Sequence, residues 1–267
     1  MRAVNVQNLN RHILPKKHSW VRRLRLIWHL ALTAAITAGI FYFLFFADAL
    51  AVKTVAIDGV SDGLRVAISS VIHSTIENKP WHLAIRKNIL FFPANRVQTE
   101  LIERFPQLKT LSIEKKYPHE LAVNGQERQP LGIWCFAADN SCRYFDEDKV
   151  FWGDPPKSSG FLLTTIDDQR ADIQTETVET VLFTAIRKML KTISTAGVVS
   201  RGITIPAESV NEFFVDTDKD FYIVFNLDTD IAGQIGVLKI FLDQKFKDPN
   251  FHPSRIDLSI DGRVYYK

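Results

Sequence analysis

The sequence predicts an α+β protein carried on a single N-terminal transmembrane helix: a small β-α-α-β-β domain, then a mixed β-domain with two helices. Three observations predict it. The 22 residues from Leu26 to Ala47 carry no formal charge. Residues 50–130 switch their hydrophobic period from two to about 3.6 and back, as strands and helices require. Residues 131–267 alternate strand-like runs with two amphipathic stretches. The chain is thus expected to divide into a basic tail (1–25), a membrane segment (26–47), a first exterior domain (50–130) and a second (131–267).

The membrane segment reads LIWHLALTAAITAGIFYFLFFA, with His29 its one titratable side chain. A helix needs about 20 apolar residues to cross a bilayer core, and lipid offers no partner to an unpaired amide. Trp28 and Tyr42 suit the headgroup level near the two ends. A cleaved signal peptide has an apolar run of about 7–15 residues, followed by small residues. This run is longer and bulky from Phe41 to Phe46, although Ala47 and Ala49 are small. Seven Lys and Arg and no acid precede it. Positive residues stay on the cytoplasmic side, so the N-terminus is expected inside and residues from 48 onward outside.

The charge is uneven. All 30 acids lie beyond residue 47, against 26 of the 33 Lys and Arg, so the exterior is near −4 while the whole chain is +3. The basic isoelectric point belongs to the tail and gives no support for a nucleic-acid-binding exterior. A chain with 46% hydrophobic and 24% charged residues can bury a core. Its two cysteines, Cys135 and Cys142, flank the turn-like Asp139, Asn140 and Ser141. On the oxidising side of a membrane they can bond across a hairpin or remain thiols. Without nearby histidines they do not make a tetrahedral zinc site.

The first exterior domain opens with a strand over 52–60. From Asp62, Leu64, Ile68, Val71, Ile72 and Ile76 share one helical face. A loop is expected at 78–80, then an apolar knot over 89–92. Pro93 opens a second helix lined by Val97, Leu101, Ile102 and Phe105, and Pro106 ends it. Strands follow at 108–116 and 121–128, joined at Tyr117-Pro118-His119-Glu120.

In the second domain, strands are expected over 131–137, 143–146 and 149–152, with a loop at 153–160. A helix follows whose face is Val178, Val181, Leu182, Ala185, Ile186, Met189, Leu190 and Ile193. Glu176 and Glu179 sit near its start, Lys188 and Lys191 towards its end, and Gly197 just beyond, as the helix dipole and C-cap favour. Strands are then expected at 202–205, 212–216 and 221–227. Asp230 can cap a helix carrying Ile231, Ile235, Leu238 and Leu242. Strands at 256–260 and 263–267 close the chain, turning at Asp261-Gly262.

Motifs for catalysis are missing. No two of the seven histidines stand at a metal-binding spacing on one expected element, and no G-x-S-x-G, P-loop or G-x-G-x-x-G occurs. Asp216, Asp218 and Asp220 imitate a calcium loop, but Phe221 stands where glycine is needed and Leu227 where a bidentate Glu is needed. A solvated hairpin turn is the better reading. Asp167-Asp168 lacks any visible source of the opposed environments an acid–base pair needs.

The stretch Phe105 to Trp134, FPQLKTLSIEKKYPHELAVNGQERQPLGIW, resembles the FtsQ/DivIB family of bacterial cell-division proteins. The matching features are Phe105-Pro106, Tyr117-Pro118, Leu121, Val123, Glu127-Arg128, Pro130 and Trp134. The segments ILFFP and VAIDGV are similar to that family's POTRA domain, and RIDLSIDGRVYYK to its final hairpin. Gly125, Arg255 and Ser259 depart from the family pattern.

The resemblance implies a POTRA domain plus an FtsQ-type β-domain, and a scaffold without enzymatic activity, cofactor or metal. It implies a single-pass protein of the cytoplasmic membrane at the division septum, with an extracytoplasmic C-terminus. Its expected partners are FtsB/FtsL-like proteins, linking them to the septal peptidoglycan synthase. Partner binding is expected on the last strand, at Arg263, Val264, Tyr265, Tyr266 and Lys267, because a terminal strand leaves main-chain groups unpaired. The same hairpin could also simply complete the core. Glu127 and Arg128 are candidates for POTRA docking, or for a structural ion pair. The competing readings are a POTRA-containing export or outer-membrane assembly factor and a membrane-anchored cell-wall enzyme.

Overall fold

A computed structural model describes residues 17–46, 48–77, 88–155, 163–209 and 211–267. The loop expected at 78–80, most of that at 153–160 and most of the basic tail lie outside them. The described chain is mixed α+β, with five α-helices and two sheets. It divides into two compact units, residues 1–99 with 112–124, and residues 100–111 with 125–267.

Helix α1 spans Lys17–Phe46 and begins well before the apolar run expected at 26. Lys and Arg are good helix formers, so the basic residues continue the helix instead of ending it. The window Trp20–Phe43 has a mean hydropathy of 1.7, and none of it is buried in the protein. A core helix of that length would be covered, so α1 is a helix long and apolar enough to cross a membrane.

Next come β1 (Thr54–Asp58), α2 (Asp62–Glu77), a 3-10 turn (Ile89–Phe91), α3 (Ala94–Arg104), β2 (Leu108–Lys116) and β3 (Glu120–Glu127). The order strand, helix, helix, strand, strand is the expected one. The sheet order is β1-β3-β2, with β1 parallel to β3. The predicted α2 face of Leu64, Ile68, Val71, Ile72 and Ile76 is buried throughout. On β2, Leu111 and Ile113 are buried while Ser112 and Glu114 are exposed, the alternation of a half-covered strand.

The second sheet has nine strands: β4 (Gly132–Phe136), β5 (Ser141–Phe145), β6 (Phe151–Trp152), β7 (Thr164–Asp168), β8 (Ser200–Ile205), β9 (Glu212–Thr217), β10 (Tyr222–Asn226), β11 (Arg255–Asp257) and β12 (Tyr265–Tyr266). Their spatial order is β12-β11-β10-β9-β8-β7-β4-β5-β6. Helix α4 (Thr180–Thr192) connects the parallel neighbours β7 and β8, and α5 (Ile231–Lys245) connects β10 and β11. Alternate residues of β4, β8, β9 and β10, with Phe145 of β5, Ile166 of β7 and Ile256 of β11, join residues of these helices in one apolar cluster. Trp134 is its largest member, edge-on to Phe145 at 5.7 Å and stacked on Phe183 at 6.3 Å.

Several expectations are corrected. Strand β7 was not foreseen. Val181 points outward, 67% exposed, and Phe183 takes the buried place. Glu176 precedes the first turn of α4; Glu179 is the N-cap residue, but its side chain makes no cap hydrogen bond. The last two strands are shorter than expected, because the Asp257 carboxylate accepts the Ser259 amide at 2.9 Å and turns the chain. Likewise β6 keeps only two residues, because Asp146 accepts the amides of Asp148 and Val150 and holds 146–150 as a turn.

Candidate partner-binding edge

Gly262 takes φ of 67°, the left-handed conformation that glycine adopts without penalty, and turns the chain into β12. Lys267 and Arg255 exchange two main-chain hydrogen bonds, of 3.1 and 3.4 Å, while Tyr266 lies opposite Ile256. In an antiparallel ladder the paired and unpaired positions alternate. The N–H and C=O of Lys267 therefore face β11, and those of Tyr266 face away from it. No described strand lies beyond β12.

The side chains alternate as well. Tyr266 shares the helix-covered face with Ile256. Its ring meets Phe241 at 5.4 Å and Phe251 at 5.5 Å, and the ammonium of Lys245 lies 5.2 Å from its centre. Val264 is half-buried against the core on the same side. Tyr265 points the other way, with Arg263 beside its hydroxyl. The two tyrosines are 48% and 50% exposed, so both remain reachable. The hairpin thus completes the core through Val264 and Tyr266 while leaving an open edge. Phe241, Phe251 and Lys245 are the supporting residues that sequence reasoning missed. Their one signal was Phe241 beside the buried Leu238–Leu242 stripe.

Arg255 and Asp257 on β11 form an ion pair next to this edge. Burial pushes the Asp257 carboxyl up, but hydrogen bonds from the Ser259 hydroxyl and amide, with the Arg255 guanidinium, hold it below the ordinary carboxylate value.

The second candidate pair is not brought to the edge. Arg128 is 14% exposed and bonds within the chain: to Asp146 at 2.5 Å, to Asp148 at 3.3 Å and through Nε to the Pro106 carbonyl at 3.0 Å. Asp146 is itself buried, so this is a structural pair whose disruption would strand a charge. Glu127 ends β3 beside it, half-buried. Cys135 and Cys142 lie directly opposite each other on β4 and β5 and are disulfide-bonded.

The acidic candidates separate. Asp167 and Asp168 point to opposite faces of β7, because strand side chains alternate. Asp168 is fully buried; Arg170 grips both its oxygens at 2.8 Å, and Trp134 Nε1 donates to it at 3.2 Å. Arg170 also donates to both oxygens of Glu179, at 2.9 and 3.1 Å. Hydrogen bonding to Asp168 raises the Arg170 pKa against the opposing effect of burial. Asp218 accepts the Val199 amide at 2.7 Å and Asp220 pairs with Arg201 at 3.3 Å, so the calcium-loop mimic is a hairpin turn. Among the described residues, no cluster of His, Cys, Asp and Glu could hold a metal ion.

No protein-family model matches this chain, and no curated protein matches it.

Proposed function

We propose that this chain is a membrane-anchored, non-enzymatic scaffold of the FtsQ/DivIB kind. It binds FtsB/FtsL-like proteins outside the cytoplasmic membrane and couples them to septal peptidoglycan synthesis. The observation that carries the reading is the open β12 edge, with Tyr266 main-chain groups facing outward and two reachable tyrosines. An extended segment can add to such an edge as a further strand. The ordered matches from Phe105-Pro106 to Trp134 and in the final hairpin support it, as does α1. With seven cations and no acid in residues 1–25, α1 runs from the cytoplasm outward, and the sheets lie outside.

The test is site-specific photo-crosslinking in dividing cells from positions 265 and 266, with Tyr222 as the control. The expected result is midcell enrichment and an adduct with a small single-pass coiled-coil division protein, stronger from 265, whose ring is not packed on α5. Midcell enrichment without an adduct rejects the edge mechanism. An even distribution around dividing cells rejects the division role and favours the export reading.

A further inference from the structure

We propose that the exposed edge of β1, together with α2, forms a second docking groove. Its occupant is an extended acidic–apolar segment of another protein anchored in the same membrane. The inference is separate from β12 and rests on the membrane reading of α1.

Strand β1 ends the three-stranded sheet, and no described strand lies beyond it. Its pairing with β3 sets Thr54 opposite Glu120, and the Thr54 amide donates to the His119 carbonyl. In a parallel ladder alternate residues bond the neighbour. The N–H and C=O of Thr54, Ala56 and Asp58 therefore face β3, and those of Val55 and Ile57 face outward. These outward groups run beside α2 along a groove of about 450 Å³. Val55 and Ile57 line its strand side; Val66, 70% exposed, lines its helix side with Arg65, Ser69 and His73. An extended chain laid here gains main-chain partners from Val55 and Ile57. Every second side chain of it enters the apolar groove.

Two features select the occupant. Arg65 and His73 are the titratable groups among the lining residues, and Lys53 is exposed just before the strand. No acid is among the described residues that line the groove. Arg65 does touch Asp62 at 2.7 Å, but the pair is solvent-exposed, so it contributes little and Arg65 can turn to a new partner. The groove therefore favours acids between the apolar residues. The second feature is reach. Seven residues, eight Cα-to-Cα steps, separate Phe46 from Thr54, so β1 starts at most about 29 Å from the end of α1. A membrane-proximal segment of a neighbouring single-pass protein is held at high local concentration there.

The test titrates the full chain in detergent with a fluorescent decapeptide of alternating Val and Glu. A matched peptide carries Lys in place of Glu. The expected result is saturable binding of the Glu peptide and at least tenfold weaker binding of the Lys peptide. Val66→Glu, at an exposed helical site, and Arg65→Glu should each weaken the Glu peptide at least tenfold. Val55→Pro should do the same, since proline is tolerated on an edge strand where the amide faces solvent. Tyr265→Glu should leave binding unchanged. Circular dichroism confirms that each variant is folded. No binding, equal binding of both peptides, loss only in Tyr265→Glu, or unchanged binding in both Val66→Glu and Val55→Pro overturns the proposal. So does a photo-adduct from position 66 to a second copy of this chain.

Discussion

Asp168 is a fully buried carboxylate in the second unit. A buried carboxylate costs several kcal/mol of hydration, recovered only through good geometry with a counter-charge. Arg170 supplies that geometry with two bonds of 2.8 Å. Replacing Arg170 by Met leaves the charge under the helices without its partner, and we expect a loss of about 3–5 kcal/mol in stability, measured by urea unfolding. A loss below about 1 kcal/mol would mean that Trp134 and water satisfy Asp168 alone. Asp257 makes the pH prediction. Its folded pKa lies below the unfolded value, so its stabilisation is present above about pH 4 and is lost as pH falls through the folded value. The stability difference between the native chain and Asp257→Asn should therefore be largest above about pH 4 and shrink in stronger acid. A difference that stays constant down to acid unfolding would contradict it.

At the scale of elements, period and punctuation made most of the chain readable. The α2 face emerged residue by residue, and Asp230 caps α5 by accepting the Gly233 amide at 3.0 Å. Strand β7 stayed hidden, although it joins β4 to β8 near the middle of the sheet. Its sequence, TTIDD, offers one apolar residue, Ile166, and ends in two acids. Asp168 looks solvated until Trp134, 34 residues away in sequence, is folded over it. The candidate edge was legible through Asp261-Gly262 and the paired tyrosines. Which tyrosine packs inward was not, because Phe251 reaches Tyr266 only through the folded α5–β11 connection. The Cys135–Cys142 hairpin yields a prediction of its own. The bond closes a short loop, so replacing both cysteines with serine should cost about 2 kcal/mol, read as a lower thermal midpoint. An unchanged midpoint would show that β4–β5 pairing alone holds the hairpin.

For the whole molecule, charge and hydropathy separate roles along the chain. Seven Lys and Arg and then a helix long and apolar enough to cross a membrane open the chain, and all 30 acids lie beyond residue 47. The nine-stranded sheet provides rigidity through a continuous apolar cluster on its helix-covered face. The proposed partner binding is placed where that sheet stops, at β12. The most direct measurement is residue-resolved amide hydrogen exchange of the full chain, alone and saturated with an FtsB/FtsL-like complex. Strand addition to β12 requires the outward Tyr266 amide to exchange fast in the free protein and to become protected at least tenfold in the complex. The inward Lys267 amide, already bonded to Arg255, should change much less. A saturated complex in which the Tyr266 amide still exchanges at its free rate would contradict the account.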